Sequence, residues 1–185
     1  VFGINNWIRS FSEKLAAQNL PVLAIPLYGR TAPNLDLGYS EEDLKLGRYH
    51  KNLTTLKNII EDVSAAINWV KEKYPENKIA IIGFCFGGHA ALIASSLKGI
   101  DNSFCFYGAG VTTPRTDTNF APIVLLEKVS GNLNFICGSA DDLIPLKDRL
   151  EIKKMFKKFD PLEERFSYIE IEGADHGFML SLIHI

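Results

Sequence analysis

The sequence predicts an α/β fold with a mostly parallel sheet and helices on both faces. Short apolar runs with the length of strands recur along the 185 residues and are bounded by Gly, Pro or Asn. Between these runs, apolar residues recur every three or four positions, which is the spacing of amphipathic helices. Strands that alternate with helices in this way pair side by side in a parallel sheet.

Helical spacing and capping signals locate the helices. Residues 5–19 and 54–74 have one apolar stripe each, and Pro21 prevents the first helix from continuing. The sequence Ser40-Glu41-Glu42-Asp43 can cap a short helix inside a long loop. Another helix follows Pro145 and ends at Asp160-Pro161; its apolar positions are Leu146, Leu150, Met155, Phe156 and Phe159.

Five apolar runs predict strands. The run at residues 79–82 lacks polar alternation, which indicates a buried strand. It is followed, after a tight turn, by small apolar residues that favour a helix. The five predicted strands are residues 22–27, 79–82, 103–107, 132–137 and 166–171.

Composition indicates an ordinary globular domain, which we predict to cover residues 1–185. The chain is 46% hydrophobic with a formal net charge of −2, which favours neither nucleic acid nor an anionic membrane as a partner. No apolar run approaches the roughly 18 residues of a membrane span. The first ten residues do not resemble a signal peptide, so we expect a cytoplasmic protein. We also expect a monomer or a weak oligomer.

The two ends predict a fragment. The chain begins with Val1 and has no strand before its first helix, so we expect N-terminal strands and a C-terminal helix to be missing. Residues 181–185, SLIHI, break off soon after His176, and we treat them as doubtful sequence.

The turn at residues 83–88, GFCFGG, carries the strongest chemical signal. It joins a strand to a helix, and its G-x-C-x-G pattern is the cysteine form of a nucleophile elbow. We expect glycine to be required at positions 83 and 87, because a Cβ at either position would collide across so tight a turn. The amides at the helix N-terminus favour a thiolate at Cys85, and the Phe86 amide can donate to an oxyanion.

Each thiol also has a structural interpretation, since free cysteine is among the most buried residue types. Cys85 can be a buried residue of a glycine-rich turn. Cys105 and Cys137 lie in predicted strands, and we expect both to be inert. Three widely spaced cysteines without C-x-x-C predict neither a disulfide framework nor a zinc site. No other spacing suggests a metal.

Cys85, Asp141 and His176 each lie just beyond the carboxyl end of a predicted strand. In open α/β sheets this edge binds ligands. The order nucleophile, acid, histidine is that of the α/β-hydrolase triad, in which histidine takes the proton of the nucleophile. Taken singly, Asp141 or Asp142 can cap a helix and His176 can be a surface residue. His50 and His89 lack a matching acid, and we interpret both as structural.

The chain resembles the dienelactone hydrolase family over nearly its whole length. The resemblance implies an α/β-hydrolase fold and a triad of Cys85, Asp141 and His176. Asp141 is preferred over Asp142 because the family motif is D-x-x-I-P. The matching segments are FGINNWIR (2–9), PLYGRTAP (26–33), IGFCFGG (82–88), FYGAG (106–110), GSADDLIP (138–145) and GADHGF (173–178).

The resemblance also implies an oxyanion site formed by the amides of Phe86 and Val1. The family's glutamate that contacts the nucleophile precedes the segment that begins at Val1. For Arg30, Lys45 and Arg48, the structural alternative is a solvated surface charge. The implied substrate-binding residues are Tyr28, Arg30, Lys45 and Arg48.

The function implied is hydrolysis of small esters or lactones through a thioester on Cys85, with no cofactor. One carboxylate-binding arginine of the family corresponds to Met179 or Leu180, so we expect neutral esters to be preferred over carboxylate-bearing lactones. Two alternatives belong to other classes. The first is a ligand-binding or regulatory protein of this fold, because fold does not determine function. The second is a thiol redox enzyme, which needs a resolving cysteine near Cys85.

Overall fold

The structure is a computed structural model that describes residues 1–182. The chain divides into two compact units, Val1–Ala66 and Ile67–Ile185. Helix α3 begins in the first unit and ends in the second. Of the tail that we treat as doubtful, residues 183–185 lie outside the described residues. The assignment of residues 1–185 to one domain stays a prediction.

The first unit contains helices α1 (Asn6–Ala16) and α2 (Glu41–Leu53) and the start of α3 (Leu56–Lys73). Asn5 caps α1 by accepting a hydrogen bond from the Ile8 amide, at 3.2 Å. Ser40 and Asp43 form the reciprocal capping box expected from the sequence. The three predicted helices are confirmed, and α2, with 13 residues, is longer than the short helix expected.

The strand predicted at residues 22–27 is absent, and this prediction was wrong. A strand exists only when its backbone forms a ladder with a neighbour. Within residues 1–182 the ladders join the other four predicted strands, and none includes this segment. Val22 and Leu23 accordingly remain 40% and 44% exposed. An apolar run therefore does not by itself determine that a segment pairs in a sheet.

The second unit is built on a parallel sheet of β1 (Ala80–Phe84), β2 (Asn102–Phe106), β3 (Asn132–Gly138) and β4 (Phe166–Ile171). The strands lie side by side in the order of the chain. This arrangement confirms the α/β class and the parallel sheet. The prediction that β1 is a buried strand was wrong, because two of its residues are exposed. Ile82 is 36% exposed because alternate residues of a strand face opposite sides of the sheet.

Helices α4 (Phe86–Ala94) and α5 (Leu146–Phe159) pack on the same face of this sheet. Full burial of an aliphatic or aromatic side chain contributes about 1.5–3 kcal/mol, so this layer stabilises the unit. A 3₁₀ helix (Pro122–Lys128) completes the layer, and a single turn, α6 (Met179–Leu182), ends the described chain. Central residues of the core are Leu92, Cys105, Leu133, Phe135, Ile152 and Phe156.

Helix α5 differs from its predicted apolar pattern. Leu146 and Leu150 are 61% and 56% exposed, whereas Arg149 is buried. Arg149 donates to the Ile144 carbonyl at 3.0 Å and lies beside Glu170, which explains how a cation occupies the buried face. None of the helices formed by residues 1–182 is both long and apolar enough to span a membrane.

Candidate active site

The turn between β1 and α4 presents Cys85 in a strained backbone conformation. Cys85 has φ 56° and ψ −117°, and α4 begins at the next residue. A non-glycine residue in such a conformation costs on the order of 1–3 kcal/mol and persists only where its surroundings hold it. Here the Cys85 amide donates to Phe106 at 3.0 Å and the Cys85 carbonyl accepts from His89 at 3.1 Å. The strand, turn and helix expected at an elbow are all present.

Glycines allow this turn, although not all for the expected reason. A Cβ at Gly83 would collide with the Gly87 carbonyl, and one at Gly88 would collide with the Phe106 carbonyl. A Cβ at Gly87 would meet nothing within 4 Å. The expected collision at Gly87 was therefore wrong, because the crowding lies on the side of its carbonyl rather than its Cα.

Asp141 is the acidic residue that reaches the histidine. It follows β3, is 1% exposed, and its Oδ2 lies 2.9 Å from Nδ1 of His176. Its other oxygen, Oδ1, accepts from the Leu143 amide at 2.9 Å. Asp142 points to solvent. The carboxylate of Asp141 is thus held at both oxygens and oriented toward the imidazole.

His176 lies in the loop between β4 and α6, and its environment favours the charged imidazolium. Because Nδ1 faces Asp141, Nε2 is the ring nitrogen left for the Cys85 thiol. Burial lowers the pKa of His176, but the hydrogen bonds to Asp141 and Cys85 outweigh burial and raise it to about 9. The carboxylate on one side and the thiol on the other both stabilise positive charge on the ring.

The three thiols differ in acidity. Burial raises the pKa of Cys85, but the hydrogen bond to His176 and the Phe86 amide lower it overall to about 7. Burial raises the pKa of Cys105 and of Cys137, and both are fully buried. Cys85 is therefore the thiol that ionises near neutral pH, as expected for a residue at a helix N-terminus beside an imidazolium.

Tyr107 belongs to the site and was not singled out from the sequence. It is 2% exposed and has φ 38°. The centroid of its ring lies 5.1 Å from that of His176 and 5.2 Å from that of Phe178. The available signal was its position directly after β2, at the same edge of the sheet as Cys85. Its aromatic ring supports one side of the histidine.

Within residues 1–182, His50 and His89 are held by hydrogen bonds, as expected of structural residues. His89 Nδ1 lies 2.9 Å from the Ala109 carbonyl oxygen, and its Nε2 lies 2.9 Å from Arg115. In the first unit, His50 Nδ1 lies 3.0 Å from Thr31 Oγ1. Within residues 1–182, no group of three His, Cys, Asp or Glu side chains is arranged to hold a metal.

The remaining predicted residues belong to the first unit, apart from Phe86, which opens α4. Tyr28 is buried, whereas Lys45 and Arg48 are exposed on α2. Arg30 binds Asp62 and Glu61, and the hydrogen bond to Asp62 raises its pKa. Its charge is thus already paired. The oxyanion role of Val1 and the substrate-binding roles of Tyr28, Arg30, Lys45 and Arg48 stay predictions.

Comparisons with known proteins agree with this fold. The model of the dienelactone hydrolase family matches residues 1–182. A Synechocystis protein named "Putative carboxymethylenebutenolidase" is 32% identical over 180 residues, covering 96% of this chain and 72% of that protein. The Pseudomonas putida carboxymethylenebutenolidase is 24% identical, covering 96% and 71%. A Klebsiella pneumoniae crystal structure, "Putative Dienelactone Hydrolase", has a TM-score of 0.80 at 18% identity, covering 98% and 74%.

The fold and these relatives define the class of protein as an ester or lactone hydrolase of the α/β-hydrolase fold. Within this class, the chain belongs to the dienelactone hydrolase family. The resemblance seen in the sequence is thereby confirmed.

Proposed function

We propose that this hydrolase cleaves small esters or lactones with Cys85 as nucleophile, His176 as general acid and base, and Asp141 as the group that orients His176. The observation that carries the proposal is the 2.9 Å hydrogen bond between Asp141 and Nδ1 of His176, beside a Cys85 thiol whose pKa His176 lowers. These side chains come from three separate loops at one edge of the sheet. Their pKa shifts favour a thiolate beside an imidazolium near neutral pH.

The first half of the reaction forms a thioester. The Cys85 thiolate attacks the substrate carbonyl, and the carbonyl electron pair moves to oxygen, which the Phe86 amide stabilises. As the tetrahedral intermediate collapses, the bond to the alkoxide breaks and the His176 imidazolium gives it a proton. In a lactone, the released alcohol stays attached through the acyl chain.

The second half returns the enzyme to its starting state. Neutral His176 takes a proton from water, and the resulting hydroxide attacks the thioester carbonyl. The carbon–sulfur bond breaks, the carboxylic acid is released, and the Cys85 thiolate again faces the imidazolium. Asp141 stabilises the charged ring of His176. The ring keeps its proton at Nδ1 throughout. The cycle consumes one water molecule and needs no cofactor.

We propose neutral, apolar esters or lactones as the preferred substrates. The name of the Pseudomonas putida relative indicates hydrolysis of a butenolide, which is a lactone, by that protein. In this chain, the positions after His176 are Met179 and Leu180, both half-buried. Neither side chain can bind a carboxylate, which favours an uncharged substrate over an anionic one.

A thiol redox function is less favoured. The two other cysteines are fully buried, and burial raises the pKa of each. Neither resembles an exposed, acidic resolving thiol. A purely ligand-binding role does not require a carboxylate hydrogen-bonded to an imidazole that lowers the pKa of a thiol.

Hydrolysis of a neutral aryl acetate by the Cys85→Ala variant tests the proposal. We expect the variant to lose activity at least about a thousandfold while keeping its thermal midpoint. Cys105→Ala is the matched control, because it makes the same substitution at a cysteine that is fully buried. Mass spectrometry after rapid acid quenching should detect an acetyl group on Cys85 in the wild type. An active Cys85→Ala variant, or acetylation elsewhere, would contradict the mechanism.

A further inference from the structure

Two loops bring Asp141 and His176 together, and they are joined at four points. The acid loop, counted with the last residue of β3, is residues 138–145, and the histidine loop, counted with the last residue of β4, is residues 171–178. The Ser139 amide donates to Ile171 at 2.9 Å, the Ala140 amide donates to Ala174 at 2.9 Å, and a Cβ at Gly138 would collide with the Ala174 carbonyl. These three contacts involve only backbone atoms on the acid loop.

The fourth contact uses a side chain. Ser139 Oγ accepts a hydrogen bond from the Gly173 amide at 2.8 Å. Ser139 lies two residues before Asp141, and Gly173 lies three residues before His176. This hydrogen bond therefore connects the segments that carry the acid and the histidine.

Gly173 is at the point where the histidine loop leaves β4. It has φ 69°, a left-handed conformation that glycine adopts readily, and a Cβ there would meet nothing within 4 Å. The Ala174 amide donates to the Ile171 carbonyl and closes this turn. Because Gly173 is exposed and has no side chain to pack, the hydrogen bond from its amide to Ser139 directly restrains the turn.

We infer that Ser139 is a positioning residue, whose hydroxyl sets the placement of His176 between Asp141 and Cys85. The inference rests on the proposed function of Cys85 and His176. Ser139 is not placed against the substrate or the reacting atoms. It acts by holding the start of the histidine loop against the acid loop.

A positioning role differs from a merely stabilising one in what its loss should change. Gly173 is exposed and Ser139 is half-buried, so water can solvate the Gly173 amide after the hydroxyl is removed. The loss should therefore have little effect on unfolding. A looser histidine loop would weaken the contact of His176 with Cys85, and the thiol would then ionise at higher pH.

The test follows Cys85 ionisation in the full chain through the pH dependence of its alkylation by iodoacetamide. We expect Ser139→Ala to move the midpoint of this profile upward by about half a unit to one unit. Its kcat/KM for a neutral aryl acetate at pH 7.5 should fall about three- to tenfold, with most of the loss in kcat. Ser139→Thr keeps the accepting oxygen and should restore both measurements.

Ser167→Ala is the matched control, because Ser167 is exposed on β4, the strand that leads into the same loop. We expect it to have the wild-type profile and activity. A wild-type profile for Ser139→Ala would overturn the inference. So would a loss of activity that follows a lowered thermal midpoint and is not restored by threonine.

Failure of the inference can be separated from failure of the proposed function. If Cys85 in the wild type is alkylated no faster than Cys105 and Cys137, the proposed function fails. If the wild type behaves as proposed but Ser139→Ala does not change the profile, only the role of Ser139 is wrong.

Discussion

The ring of Tyr107 meets the ring of His176 edge to face, with 5.1 Å between the centroids and 64° between the planes. Tyr107 is almost completely buried and has the left-handed φ of 38°. Such strain persists only where the surrounding structure holds it, and it concentrates at functional sites. The aromatic ring limits the orientations that His176 can adopt.

This contact predicts different effects for two substitutions of Tyr107. Tyr107→Phe keeps the ring and should retain most of the activity. Tyr107→Leu removes the ring beside His176 and should lower kcat about tenfold, because the imidazole is then less well oriented. Steady-state hydrolysis of an aryl acetate measures both. Equal activity of the two variants would show that the ring contact does not orient the histidine.

The pKa values of the thiol and the imidazole predict a bell-shaped pH profile. Cys85 has a pKa of about 7 and His176 a pKa of about 9. Below pH 7 the nucleophile gains a proton, and above pH 9 the imidazole loses the proton that the leaving group needs. The limbs of the kcat/KM profile should therefore lie near these values and belong to the pair as a whole.

Replacement of the histidine tests the acid limb directly. In His176→Gln the imidazolium that lowers the pKa of Cys85 is gone, so the thiolate absorbance near 240 nm should appear only at higher pH. A titration that stays near pH 7 in this variant would indicate that another group stabilises the thiolate.

The geometry predicts that two adjacent acids differ sharply in importance. Asp141→Asn keeps the size of the side chain but removes the carboxylate that accepts from His176 Nδ1. We expect kcat to fall about 10³- to 10⁴-fold, as when the acid of a comparable triad is neutralised. Asp142→Asn is the control, because Asp142 is exposed, and should have nearly wild-type activity. Similar losses in both variants would contradict the assignment of Asp141.

Charge selectivity tests the proposed substrate class. Binding of a carboxylate by a buried arginine contributes roughly 1.5–3 kcal/mol, so its absence should cost about ten- to a hundredfold in affinity for an anionic lactone. We expect kcat/KM for a neutral aryl acetate to exceed that for a dienelactone of similar size. Arg48→Ala should change neither value much. A preference for the dienelactone that collapses in Arg48→Ala would reverse this conclusion.

Local sequence patterns determined much of the fold and the core of the candidate site. Periodicity and flanking breakers predicted the main helices and four of the five strands, because these signals depend on residues close in the chain. The elbow at residues 83–88 was predictable for the same reason. The order of strands and loops then indicated that Cys85, Asp141 and His176 share one edge of the sheet.

Tertiary structure decided which segments and side chains find partners. Residues 22–27 have the composition of a strand but no ladder within the described chain. Arg149 takes a buried position in α5 because the Ile144 carbonyl and Glu170 lie within its reach, while two leucines of the same helix remain exposed. Strand pairing and burial depend on groups distant in sequence, which a local pattern does not contain.

The same distinction applies within the site. Local sequence makes Asp141 and Asp142 equally possible helix caps. The family motif favours Asp141, and the fold brings its carboxylate to His176. The contacts of Tyr107 with His176 and of Ser139 with Gly173 also join different loops. The sequence determined which chemical groups lie at this edge of the sheet. The packing of the loops determined which of those groups contact one another.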